Sequence, residues 1–167
     1  ALAERAKRLF AADAPSPRSE VLARYRDVAK LKPDLARGKP LFTTHCATCH
    51  RLDGQGHDVG PNLETMRNRT PDELLVNILD PNREVSPNYL EYVVELSDGR
   101  TLTGIIVSET ANSLQLRRAE AVEETILRQN VAAITASGKS LMPEGLEQKL
   151  APQDLADLLA WFGKKGK

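Results

Sequence analysis

An α+β fold is predicted for this chain by three features of its 167 residues. Apolar positions recur at helical spacing before residue 80 and again after residue 150. Between about residues 89 and 137 they alternate with period two, and clusters of Gly, Asp, Asn and Ser divide that stretch into short strands. The order helices, strands, helix predicts a helical domain built from 34–88 and 138–167. A helical arm over 1–33 precedes it, and a small antiparallel β barrel over 89–137 interrupts it.

The helices are read from their ends. In the arm, Ser19 is placed to cap a helix whose apolar face is Val21, Tyr25 and Val28, with Leu22 and Ala29 beside them. A second helix is expected from about Asp34 through "ARGKPLFTTHCATCH", with Pro40 delaying its start or kinking it, because proline lacks an amide proton. The Gly- and Asp-rich "RLDGQGHDVGPNL" reads as a loop. In "TPDELLVNILDPN", Thr70 and Glu73 form a capping box, Pro71 suits the first helical position and Pro81 ends the helix. The last helix, "PQDLADLLAWF", puts Leu155, Leu158, Leu159 and Phe162 on one face.

The strands begin with Leu90, Tyr92, Val94 and Leu96 alternating with Glu91, Val93 and Glu95, and Asp98–Gly99 supplies a hairpin turn. "TLTGIIV", "SLQLR", "VEETILR" and "VAAI" follow at regular intervals.

Composition excludes several functions. With 23 basic and 23 acidic residues there is no overall field to recruit nucleic acid, an anionic membrane or an acidic substrate. No apolar run approaches the length of about 18 residues needed to span a bilayer. The first residue is Ala1, as expected of a chain whose targeting segment has been removed. Two cysteines three positions apart cannot form the multi-bridge framework of a small disulfide-rich domain.

Both cysteines and all three histidines lie in "HCATCHRLDGQGH". Cys46, Cys49 and His50 have the C-x-x-C-H spacing of covalent c-type haem attachment. Residues three and four apart share a face of a helix, so two thiols can meet the two vinyl groups of one porphyrin while His50 presents a ring nitrogen to the iron. Other readings compete: a redox dithiol, a zinc site completed by His45 and His57, or two inert buried thiols.

"GKPLFTTHCATCH" followed by "VGPNL" resembles the start of a class I cytochrome c. The resemblance implies that Gly38 and Phe42 lie where the motif helix crosses the terminal helix, and that the Pro61 carbonyl orients His50. From about Gly38 to Phe162 the chain also resembles the Pirellula/Verrucomicrobium-type haem-binding domain, through "CHR", "GHDVGPNL", "ILDPN", "DGRTLTGIIV" and "SLMPEGL" in that order. Pro40 and Ala151 depart from the pattern, the first inside a helix and the second at a cap position where Ser would serve better.

This resemblance implies a haem c cofactor with its iron, an exported (periplasmic, bacterial) location and a redox protein as donor or acceptor, a fused or associated dehydrogenase among them. It also places the sixth iron ligand at Met142, in the loop before the last helix. His50 and Met142 are far apart for a small cytochrome, but removing the β stretch leaves an ordinary interval. Met66, His57, Lys139 or an open position are the alternatives at the sixth site. Met66 is expected to line the pocket, His57 to be exposed or to bond a propionate, His45 to be solvated, and Arg51 and Arg83 to be available to propionates.

"ELSDGRTLTGIIVSETANSLQLR" resembles an Sm-like or SH3-like barrel. Its strands carry Glu91, Glu95 and Glu109 rather than a basic aromatic face, which points to a lid or docking surface and away from nucleic acid. The expectation is a one-electron carrier that is not itself an enzyme, its rival a haem-based sensor with a displaceable or missing sixth ligand.

Overall fold

Four α-helices and seven strands make up the computed structural model, which describes residues 17–163. The part of the predicted arm before residue 17 lies outside the described residues.

Helix α1 (Ser19–Tyr25) is followed by a 3-10 turn at Val28–Lys30, and Val21, Tyr25 and Val28 are buried. Ser19 is not its cap. The N-cap is Arg18, which offers no side-chain acceptor and instead reaches the Leu79 carbonyl at 2.8 Å and Glu147 at 2.6 Å. The arm is thereby tied to two distant segments at the cost of a conventional cap.

Helix α2 (Leu35–His45) starts at its expected place, since the Asp34 carboxylate accepts the Ala36 amide at 2.9 Å. Pro40 neither delays nor divides it. The carbonyl that loses a donor to Pro40 belongs to exposed Ala36, so water can serve it. The helix does stop at His45, five residues short of the sequence reading. At its end the Phe42 carbonyl takes the amides of both Cys46 (2.8 Å) and Ala47 (3.0 Å), and the carbonyls of Ala47 and Cys49 accept from His57 (3.0 Å), Val59 (3.1 Å) and Gly60 (2.7 Å).

Helix α3 (Pro71–Leu79) carries both halves of the Thr70–Glu73 capping box, worth about 1 kcal/mol. Helix α4 (Pro152–Gly163) lacks a capping side chain at Ala151, but the Asp154 carboxylate returns to the Ala151 amide at 3.0 Å. Its buried face is wider than the predicted stripe, taking in Ala156, Asp157 and Trp161.

Helices α2 and α4 cross where Gly38 meets Trp161. A Cβ on Gly38 would lie 2.2 Å from the Trp161 Cβ and 2.5 Å from the Asp157 carbonyl oxygen, so hydrogen is the only side chain this crossing admits. One turn on, the Phe42 and Trp161 rings pack with centroids 5.3 Å apart. Asp157, fully buried, accepts the Asp34 amide at 2.7 Å and Gln153 Nε2 at 2.8 Å, while Arg37 Nε lies 3.1 Å from its other oxygen.

The period-two region folds as predicted into antiparallel strands: β3 (Leu90–Leu96), β4 (Thr101–Glu109), β5 (Ser113–Arg117), β6 (Glu123–Leu127) and β7 (Val131–Ser140). The short β1 (Arg51–Leu52) and β2 (Gln55–Gly56) form a separate hairpin. The expected barrel does not close. Strand order is β6-β5-β4-β3-β7, and the two edges are not paired with each other. Residues 101–104 of β4 pair with β3, whereas 105–109 pair with β5, so the sheet leaves β4 as two arms. Gly104 stands at the change of partner, where a Cβ would fall 2.4 Å from the Arg117 carbonyl oxygen.

Strand β7 is longer than "VAAI" because it absorbs a bulge at Gly138 (φ 72°), opposite the register shift between Leu90 and Tyr92. The module begins and ends at one point: Leu90 pairs with Ser140, and the Leu141 amide donates to the Tyr89 carbonyl at 3.2 Å. Val94, Leu96, Leu114, Leu116 and Ile126 form its own apolar cluster, separate from the helical one around Phe42, Leu52, Leu79, Leu155 and Trp161.

Gly38→Ala should destabilise the fold by about 1–3 kcal/mol, because Trp161 and the Asp157 backbone would have to retreat together. Thermal unfolding would show this as a midpoint lower by about 2–12 °C; an unchanged midpoint would mean the crossing is looser than the geometry says.

Candidate functional site

The turn after α2 carries the cysteines. Although the α-helix has ended, the Cys46 carbonyl accepts the amides of Cys49 (3.0 Å) and His50 (2.8 Å), so the three residues keep one turn of helix-like spacing. Cys46 and Cys49 are free thiols, both partly exposed. Burial, with Cys49 close by, pushes the Cys46 thiol up to about 12, and burial also raises Cys49. Both shifts favour the protonated thiol, unlike the lowered value of a reactive dithiol. Among the described residues no three His, Cys, Asp or Glu side chains converge as a metal cluster. That speaks against a zinc site completed by His45 and His57.

The segment after His50 wraps around the turn. Strands β1 and β2 join through Asp53 (φ 49°) and Gly54 (φ 73°), both in the left-handed region that a two-residue hairpin loop needs. Arg67 holds this hairpin, pairing with Asp53 at 2.5 Å and Glu64 at 2.7 Å while donating to the Phe162 carbonyl at 2.9 Å. The hairpin is thus fastened to the end of α4.

His50 is half-buried, and its Nδ1 lies 2.9 Å from the Pro61 carbonyl oxygen. A carbonyl only accepts, so the proton sits on Nδ1 and the lone pair on Nε2. Among the described residues Nε2 has no protein partner. Burial holds the imidazole below its ordinary value, and the bond to Pro61 works against that shift. The ring is fixed, neutral and free at one nitrogen.

Two glycines that sequence reasoning passed over shape this arrangement. A Cβ on Gly60 would fall 2.5 Å from His50 Cε1 and 2.9 Å from Nδ1, and one on Gly56 (φ 86°) would fall 2.1 Å from the His50 carbonyl oxygen. The signal for Gly60 was its place directly before Pro61. For the hairpin it was the Asp-Gly pair, carried by strands too short to show alternation.

The remaining candidates are dispersed. His57 is exposed and bonded through its backbone to Ala47; Arg51 pairs with Asp58 at 3.2 Å; Lys139 and Arg83 are exposed. His45, expected in solvent, is half-buried as the last residue of α2. Met66 packs against the helical core. Met142 is partly exposed just after β7, its amide bonded to Ser140 Oγ at 3.1 Å, and belongs to neither apolar cluster. The β module touches the motif directly, since the Glu120 amide donates to the Thr48 carbonyl at 2.9 Å and Arg117 reaches the Asp58 carbonyl at 3.3 Å.

Gly60→Ala should displace the His50 ring and break its bond to Pro61, costing about 1 kcal/mol or more. The check is the His50 Nδ1 proton resonance, slowly exchanging in the parent and lost or strongly shifted in the variant.

The cytochrome c family model matches residues 35–164, which is most of the chain and includes the β module. Domains of that family bind covalently attached haem c and pass electrons between redox partners, so the cofactor is haem c with its iron and the activity is electron transfer. They are typically exported, and among the described residues no helix is long and apolar enough to cross a membrane. A free-thiol pair, a carbonyl-oriented imidazole and a crossing of motif helix and terminal helix agree with that match, and the chain belongs to the cytochrome c family.

Proposed function

We propose that this is a class I c-type cytochrome domain that carries single electrons, with Cys46 and Cys49 joined to one haem c and His50 and Met142 on either side of its iron. The observation that carries the reading is the His50 imidazole, tied at Nδ1 to Pro61 and unpartnered at Nε2, on the same turn as two neutral free thiols. The residues fit the group: Gly60 leaves room for the imidazole ring, and burial favours the protonated thiols, which would add across the vinyl groups. When bound, the iron supplies a one-electron couple whose potential a thioether ligand raises. The chain's part is to hold the imidazole in one tautomer and to keep its contacts the same in both redox states.

Met142 is favoured over Met66 because Met66 packs into the helical core, while Met142 packs with neither apolar cluster and lies just past the end of β7. The haem domain is 34–88 with 138–167, and the module inserted at 89–137 is of Sm-like or SH3-like type. The separate cores, the shared strand β4 and the common base of the insertion support that division. The ordered motifs favour the Pirellula/Verrucomicrobium-type group. That grouping makes a periplasmic protein serving a fused or associated dehydrogenase the expected context, with catalysis left to the partner.

A second reading, a haem-based sensor in which Met142 leaves the iron, draws on one observation: Leu141, next to Met142, is bonded to Tyr89 at the base of the β module, a path by which displacement would reach the sheet.

Optical spectra separate the two. The oxidised carrier shows a far-red thioether-to-iron band, and its reduced form binds carbon monoxide slowly; a sensor lacks the band or binds the gas rapidly. Met142→Ala should abolish the band and lower the potential by on the order of 100 mV. A band that survives would transfer the role to Met66, and haem removed by acid acetone would contradict attachment to Cys46 and Cys49.

A further inference from the structure

We infer that Asn82 is a positioning residue for the sixth ligand, clasping the chain on both sides of Met142. The inference rests on the reading of Met142 as that ligand. Asn82 follows α3 and the buried Pro81, in a turn closed by the Arg83 amide on the Asp80 carbonyl at 3.1 Å. Its Oδ1 accepts the Ser140 amide at 2.8 Å, and its Nδ2 donates to Glu144 Oε1 at 2.7 Å. These partners leave no ambiguity about the amide, because a backbone N–H can only donate and a carboxylate only accepts. Ser140 and Glu144 lie two residues before and two after Met142, so one side chain spans the ligand segment.

The segment needs such a clasp. Between β7 and the 3-10 turn at Leu146–Gln148 it has no regular structure. Pro143 has no amide proton, the Leu141 amide is committed to Tyr89, and the Met142 amide bonds Ser140 Oγ at 3.1 Å. Ser140, itself held by Asn82, therefore passes the constraint to Met142. Glu144 is exposed, and its bond to Asn82 ties the segment by a side chain downstream of Met142. Without the clasp the segment would spend more time away from iron, and an added ligand would compete better by the same fraction.

The test is a titration of the oxidised haem-loaded protein with imidazole, following loss of the far-red thioether band, with thermal unfolding in parallel. Asn82→Ala should raise the apparent imidazole affinity by about tenfold, as expected for losing two hydrogen bonds, one of them to a charged group. Glu144→Ala, which breaks only the exposed arm, should give a smaller rise, and Glu144→Gln, which keeps an acceptor, should titrate like the parent. Should Asn82→Ala not fold, the two Glu144 variants carry the test. A band present in the parent and lost in Met142→Ala, with no change of imidazole affinity in Asn82→Ala or Glu144→Ala, overturns the role of Asn82 and leaves Met142 as ligand. A lowered melting midpoint without a change in imidazole affinity overturns it equally, by showing a purely structural part. A parent without the band, or a Met142→Ala variant that keeps it, overturns the Met142 reading and this inference with it.

Discussion

At the Gly38–Trp161 crossing two helix backbones approach more closely than any side chain but hydrogen permits, and that approach sets the positions of the segments bearing the cysteines and the histidine. It is fastened along its length. Asp157 receives the first turn of α2 through the Asp34 amide and Arg37, Gly38 makes the contact, and Phe42 continues it onto the Trp161 ring. From Gly38 the helix has seven more residues to run, about 10 Å at the usual rise, before it releases Cys46. The turn that follows thus starts from a fixed point and a fixed direction. Arg67 closes the arrangement by joining the hairpin after His50 to the other end of α4 at Phe162.

The β module leaves this frame undisturbed because its two ends meet. Tyr89 and Leu141 are hydrogen-bonded to one another, so the helical part sees an insertion of many residues as a bridge between neighbouring points. The module also returns to the motif. Glu120 and Ala121 adopt φ of 60° and 56°, a conformation that costs a residue with a Cβ on the order of 1 kcal/mol, and the turn they make delivers the Glu120 amide to the Thr48 carbonyl between the two cysteines. Strain of this kind persists where the surroundings require it. Here it joins the sheet to the turn between the two cysteines, while the Leu141–Tyr89 bond joins the base of the sheet to the segment bearing Met142.

What could be read in advance was what depends on neighbours in sequence. The Thr70–Glu73 capping box, the Asp98–Gly99 turn and the spacing of Cys46, Cys49 and His50 are local, and each is visible as a pattern of a few residues. What escaped depends on distant partners. Helix α2 ends early in a turn where the Phe42 carbonyl takes the amides of both Cys46 and Ala47, and residues ten and eleven positions on return to the carbonyls of Ala47 and Cys49. Strand β7 continues through "SGKS", which has loop composition, because Gly138 forms a bulge and Leu90 pairs with Ser140. The open sheet follows from β4 changing partners at Gly104, and no alternation of apolar residues reports which strand lies opposite. Asn82 was visible within "ILDPN", yet its side chain acquires meaning only when residues 140–144 are brought beside it.

The two proposed iron ligands share a property that bears on electron transfer. Both come from segments without helix or strand, where mobility is the default, and the bonds nearest each are neutral: a carbonyl at His50, and at Met142 a hydroxyl whose residue is positioned by an amide, with the charged Glu144 at the far arm of the clasp. Ion pairs would have served less well, since their strength shifts with the charge of a nearby centre and with salt. Burial disfavours the charged form of His50, and the Pro61 carbonyl keeps the ring proton on Nδ1. A site built this way can change its oxidation state while its protein bonds stay as they are, which is the condition for a low reorganisation cost at each transfer.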